Sequence, residues 1–256
     1  MYYDKGLIVL TISDLDLISQ CPFSVTVHNR FQEIDDCVKC NAFSRIAHYC
    51  FKRSSKATNT ISDNRLKDKY NRILLDAGIN KEYRESMVRS DSLTLSDIIN
   101  ISKKYRENID NVQPNITLNL GRFVVRDKLD AILCIQNQYF IVKFMCSNHP
   151  VNGYFPIGYE AIAGSLWIRD AYAVDTNGIC FIQFNPDAPT IKCMDITLTT
   201  EQLRQSIHSV VDILTPNNII TNKKDFESYK TEQLTSLHRS FGQHCWSCQE
   251  PTCFKP

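Results

Sequence analysis

Leu129-Asp130-Ala131-Ile132-Leu133-Cys134-Ile135-Gln136-Asn137-Gln138-Tyr139-Phe140-Ile141-Val142-Lys143-Phe144-Met145 holds two apolar runs separated by three amide side chains. Short apolar, β-branched and aromatic runs joined by turn formers read as paired strands. Just upstream, Ile116, Leu118 and Leu120 alternate with polar residues, as do Phe123 and Val125. Together these segments predict a β-meander. Two residues break its apolar pattern, Asp130 and Lys143. A charged side chain among buried neighbours needs a partner, because its bare burial is costly.

Downstream, residues 159–172 carry Ile162, Leu166 and Ile168 at helical spacing. Residues 178–185 and 190–198 read as strands. Thr199-x-x-Gln202 is a capping box ahead of Leu203, Ile207, Val210 and Leu214, one face of an amphipathic helix. Upstream, Ile8 to Ile12 is extended, and Ser13-x-x-Asp16 caps a short helix bearing Leu15, Leu17 and Ile18. Pro22 fits the start of a second helix with Phe23, Val27 and Phe31 on one face. Residues 41–52 carry Phe43, Ile46, Ala47, Cys50 and Phe51 at helical spacing, and 54–60 is a polar loop. Residues 62–110 are charged and helical: Leu66, Tyr70, Ile73 and Leu74 share one face, and Ser96-Asp97 starts a further helix. Their many Lys and Arg read as a solvated face. The order of elements predicts one mixed α/β domain over 1–256, its sheet flanked by helices, with a helical insertion at 54–113.

The 256 residues carry a formal net charge of +1, so nucleic-acid binding would need a local basic groove rather than a global field. No apolar run reaches membrane-spanning length, and Met1 to Lys5 lacks the order of a signal peptide. The expectation is an intracellular protein without a membrane partner.

The eleven cysteines then read as thiols rather than a disulfide framework. Cys50, Cys134, Cys146, Cys180 and Cys193 lie in apolar strings and read as small buried hydrophobes. The others group: Cys37-x-x-Cys40, and Cys245-x-x-Cys248-x4-Cys253, with Cys21 alone before Pro22. Three thiolates near the end of the chain leave a four-ligand site short of one ligand. Cys37 and Cys40 with Cys245 and Cys248 would complete a four-Cys zinc ribbon.

The layout, with Ile12-Ser13-x7-Cys21-Pro22-Phe23 and Cys245-x2-Cys248-x4-Cys253, resembles the iron–sulfur branch of the PD-(D/E)XK (restriction-endonuclease-like) nuclease superfamily. The closest groups are the RecB-like nuclease domains, such as that of the AddB subunit, and the CRISPR-associated exonucleases. The resemblance implies that Cys21, Cys245, Cys248 and Cys253 hold a 4Fe-4S cluster clasping the two ends of the chain. Closing so long a loop would remove substantial chain entropy.

The resemblance also assigns roles between those ends. Ser44-x3-His48 matches a helix motif whose histidine helps order the metal site, and Asp130 matches the strand aspartate that binds Mg²⁺ or Mn²⁺. Lys143 matches the lysine of the acid-x-Lys motif, but Ile141 stands where the acid belongs. Glu160 and Gly164 stand where the family has Gln-x3-Tyr. Some superfamily members carry the second acid on this helix, so Glu160 is the candidate to replace it. A plain helix-start glutamate suits the helix dipole equally well. Arg122, Arg126, Lys128, Lys143 and Arg169 are candidates to track a phosphate backbone. The implied function is a DNA-processing protein binding ends or single strands, alone or within a larger nucleic-acid complex, and hydrolysing phosphodiesters with Mg²⁺ or Mn²⁺ if both acids converge. The alternatives are a DNA-binding or scaffold relative that has lost catalysis, and a zinc-ribbon structural protein.

Overall fold

The structure, a computed structural model, describes residues 1–21, 36–55, 61–145, 158–184, 189–234 and 237. The helix read from Pro22 and the three C-terminal cysteines lie outside the described residues, as does Cys146.

In chain order the elements are β1 (Tyr2–Asp4), β2 (Leu7–Leu10), α1 (Ile12–Gln20), α2 (Asp36–Ser54), α3 (Asp63–Asp76), α4 (Lys81–Ser90) and α5 (Ser92–Lys104). Then come β3 (Ile109–Val112), β4 (Asn115–Leu120), β5 (Phe123–Lys128), β6 (Ala131–Ile135), β7 (Gln138–Met145), α6 (Tyr159–Tyr172), β8 (Thr176–Gln183), β9 (Thr190–Asp195), α7 (Thr200–Ile213) and α8 (Lys223–Ser228). Among the described residues the strands form two mixed sheets rather than the expected one. The smaller has the order β1-β2-β5-β4 and the larger β3-β6-β7-β8-β9. Parallel pairs are β2 with β5 and β7 with β8.

The predicted meander is divided between these sheets by a corner. The ladder of β4 on β5 continues into that of β3 on β6 through two bonds. Gln113 N–H donates to the Asp130 carbonyl at 3.0 Å, and Leu129 N–H to the Pro114 carbonyl at 3.2 Å. The chain turns here because Pro114 has no N–H to donate and Gln113 adopts φ +55. Asp130, expected inside a strand, therefore sits at the corner between β5 and β6. The β6–β7 turn follows the sequence reading. Gln136 and Asn137 both take positive φ, +51 and +63, the twist that suits a tight hairpin.

Strand alternation sorts the larger sheet into two faces. Ile132, Ile141, Ile179 and Phe181 join a core with α1, α6, α7 and the smaller sheet. Ala131, Leu133, Val142, Phe144, Ile182 and Phe184 join a second core with α2, α3 and α5. Each large aliphatic or aromatic side chain buried this way stabilises the fold by roughly 1.5–3 kcal/mol.

Helix α7 begins as expected at a Thr199–Gln202 capping box. For α1 the cap is displaced: the box is Thr11 with Asp14, not Ser13 with Asp16. That shift leaves the Asp16 side chain for another role. Helix α5 starts at Ser92, four residues before the expected Ser96. Its N-cap Asp91 turns inward to accept from the Tyr70 hydroxyl and from Lys39 Nζ, each at 2.7 Å. One cysteine expectation is corrected. Cys180 and Cys193 face each other across the β8–β9 ladder and are bonded as a disulfide, not separate hydrophobes. Cys21, Cys50 and Cys134 are free thiols. No described helix is long and apolar enough to cross a membrane.

Candidate active site

Lys143 lies near the end of β7, on the sheet face covered by α6. Glu160 occupies the first turn of α6 and meets it: Lys143 Nζ is 2.6 Å from Glu160 Oε2. The same ammonium is 3.9 Å from Asp130 Oδ2. Asp130 is held from two further sides. Its Oδ2 accepts the Phe144 N–H at 2.8 Å, and its Oδ1 lies 2.8 Å from His48 Nε2. The His48 ring rests at an edge-on angle to Phe144, with centroids 5.3 Å apart, so packing fixes the imidazole. The four residues expected to form the site (His48, Asp130, Lys143 and Glu160) are thus brought together from α2, the β5–β6 corner, β7 and α6.

Two more carboxylates stand around this cluster. Asp16, on α1, accepts the Tyr159 N–H at the start of α6 at 3.3 Å. Asp127, near the end of β5, accepts the N–H of Ile12 at 2.8 Å and so caps the start of α1. An anion at that helix end suits the helix dipole. Neither role was visible locally, since each joins residues more than a hundred positions apart.

The electrostatics follow from one cation among several acids. Burial alone would lower the Lys143 ammonium, but the charges of Glu160 and Asp130 outweigh it and raise it. Burial pushes the Glu160 carboxyl up to about 7, with Lys143 opposing and Asp130 adding to the rise. Burial also raises Asp16, against the Tyr159 N–H and Lys143. Glu160 is only 15% exposed, so its shift bears on stability. Between its ordinary value of 4.5 and about 7, the folded chain holds a proton that the unfolded chain releases. Stability therefore falls as pH rises through that window, by on the order of 2–3 kcal/mol. Glu160→Gln should flatten this fall. Urea unfolding of both proteins at pH 5 and pH 8 measures it, and equal pH dependence in the two would contradict the assignment.

Both departures from the acid-x-Lys and Gln-x3-Tyr patterns meet at one contact. A methyl built on Gly164 would lie 2.7 Å from Ile141 Cδ1 and 3.2 Å from each Leu129 methyl carbon. Ile141 is fully buried. A tyrosine could not stand at Gly164, because Ile141 and Leu129 fill its place.

Asp130 and Glu160 are hard oxygen donors, the type suited to Mg²⁺ or Mn²⁺. Magnesium keeps several waters and needs only one or two carboxylates from a protein, so this pair fits such an ion. Among the described residues no group of three or more His, Cys, Asp or Glu converges as a fuller ligand set. Of the expected backbone-tracking cations, Lys143 is paired with Glu160, Arg126 with Asp4 at 2.5 Å, and Arg169 with Asp175 at 3.2 Å.

No family model and no curated protein matches the chain. Solved structures do resemble it. A protein described as "Putative exonuclease" from Eubacterium rectale is 14% identical, with a TM-score of 0.48, over 89% of this chain and 82% of that one. SSO0001 is 11% identical with a TM-score of 0.38, over 86% and 82%. VC1899 from Vibrio cholerae is 12% identical with a TM-score of 0.23, over 93% and 58%. The class that the coordinates themselves define is a mixed α/β protein, with two mixed sheets flanked by helices.

Proposed function

We propose that this chain is a DNA-processing protein of the iron–sulfur PD-(D/E)XK type, acting on single strands or ends, with Glu160 in place of the acid missing at Ile141. The observation carrying the reading is that Lys143 Nζ lies 2.6 Å from Glu160 and 3.9 Å from Asp130. Asp130 and Glu160 would hold Mg²⁺ or Mn²⁺, which when bound supplies an activated water and neutralises charge on the phosphorane-like transition state. His48 keeps Asp130 oriented through its 2.8 Å bond. The Lys143 ammonium would steady the anionic phosphate. Cys21 is buried at the end of α1 and would join Cys245, Cys248 and Cys253 around a 4Fe-4S cluster.

The test is digestion of end-labelled single-stranded DNA by anaerobically purified protein supplied with Mn²⁺, alongside iron analysis and the visible spectrum. Cleavage together with about four irons per chain is the expected result. Zinc in place of iron would shift the cysteines to the zinc-ribbon alternative.

A second reading keeps the shell without the chemistry. It is favoured by the same ion pair, since Lys143 occupies the acid that a metal would need. A chain that binds single-stranded DNA but leaves it intact under these conditions is the non-cleaving relative.

A further inference from the structure

We propose that the cleft between α2 and α3 is a second nucleic-acid contact, a sequence-independent site for the phosphate backbone of a single strand. Arg45, Tyr49 and Arg53 recur every four residues on α2 and so share one face. Arg65, Lys69 and Arg72 face them from α3, and the six residues line a cleft of about 550 Å³. Three of the five cations, Arg45, Arg65 and Arg72, are exposed, and the other two are half-buried.

Two observations separate this cleft from an ordinary solvated helix face. None of its five cations lies within 4.0 Å of a carboxylate among the described residues, although Asp68 and Asp76 also line it. By contrast, Arg126, Lys143 and Arg169 are each committed to an acid. The second observation is Tyr49. Lys69 Nζ lies 4.7 Å from its ring centroid and the Arg53 guanidinium 5.4 Å, from opposite helices. The ring therefore gathers like charges that would otherwise repel, holding them together without neutralising them. With its ring engaged by cations, Tyr49 organises charge rather than stacking a base. A concavity with five cations against two acids matches a chain of phosphates, whose recognition needs no particular base. The neighbouring residue on α2, His48, is the one that grips Asp130. A strand in the cleft would thus lie on the helix that supports the candidate active site.

The inference extends the DNA-binding reading but needs neither metal nor cleavage. The experiment is fluorescence anisotropy of labelled dT20 in EDTA, across a salt series, with the full chain. The triple variant Arg45→Ala/Arg65→Ala/Arg72→Ala changes only exposed side chains, and circular dichroism checks its fold. Affinity should drop at least tenfold, and the log–log salt slope should shrink by about 2, from roughly 0.7 per lost phosphate contact on a single strand. Lys103→Ala/Lys104→Ala, on α5 outside the cleft, should bind as the unmodified chain does. Unchanged binding in the triple variant, or an equal loss in the α5 variant, overturns the cleft while leaving the proposed chemistry standing. Failure of the unmodified chain to bind dT20 overturns the cleft and the DNA partner together. Binding without Mn²⁺-dependent cleavage upholds the cleft and sinks only the enzyme.

Discussion

Asp130→Ala is expected to lower Mn²⁺-dependent cleavage of single-stranded DNA by at least about a hundredfold, on the scale found when groups that position a metal or developing charge are removed. Asp130 is bound from three sides, by the His48 ring, the Phe144 N–H and the Lys143 ammonium. Alanine there removes a proposed metal ligand and leaves His48 and Lys143 without that anion. Binding of DNA in EDTA should stay within a factor of about two, because the charge lost is one among several acids. The comparison is single-turnover cleavage of the same oligonucleotide by both proteins. Retained cleavage in Asp130→Ala would place the chemistry elsewhere in the molecule.

Ile141→Glu, which restores the acid-x-Lys pattern on paper, should instead destabilise the chain by about 3 kcal/mol or more. The position is fully buried, and its side chain presses on Gly164 and Leu129. A carboxylate there would be desolvated with apolar neighbours at the contact. Ile141→Met, which nearly conserves volume, should cost less than about 1.5 kcal/mol. Urea unfolding of both variants at pH 7.5 decides the matter. A fully stable Ile141→Glu protein that gains Mn²⁺ affinity would mean that the strand position is still open to a metal, so Glu160 would not be its substitute.

Much of the frame was legible because it rests on local chemistry. The Thr199–Gln202 box and the four-residue spacing of Leu203 and Ile207 fixed the start and buried face of α7. Gln136 and Asn137 announced a tight turn. Asp130 and Lys143 stood out as charges among apolar neighbours, a mismatch that could be read without knowing what they touch, whereas Glu160 and His48 came from the family motifs. What was not legible depends on distant packing. The period-2 alternation of Ile116 to Val125 is the same whichever sheet a strand joins, so the corner at Gln113 and Asp130 left no periodic trace. The Ile141–Gly164 contact joins two elements, and as separate residues they read as two unrelated departures. Arg65 and Arg72 read as part of a solvated face and Arg45 drew no reading at all; only the packing of α2 on α3 makes the three a concavity. The Cys180–Cys193 bond was missed because each thiol, taken alone, sits in an apolar string.

The parallel pairing of β2 with β5 has a consequence for how the chain is made. Strand β2 cannot complete its sheet until β5 exists, and Ile12 waits for Asp127, 115 residues later. At synthesis rates of about 5–20 residues per second, that is a delay of roughly 6–25 s with the first hairpin lacking its neighbour. The helices from α2 to α5 are translated in that interval and make their mutual contacts at shorter range. The contacts among those helices involve only residues made before β5, so they can form before the amino-terminal hairpin gains its sheet partner. Asp127 secures α1 in that late step, and α1 brings Asp16 to the start of α6. The acidic surroundings of Lys143 therefore draw on residues from Asp16 to Glu160 and cannot be complete until α6 has been made.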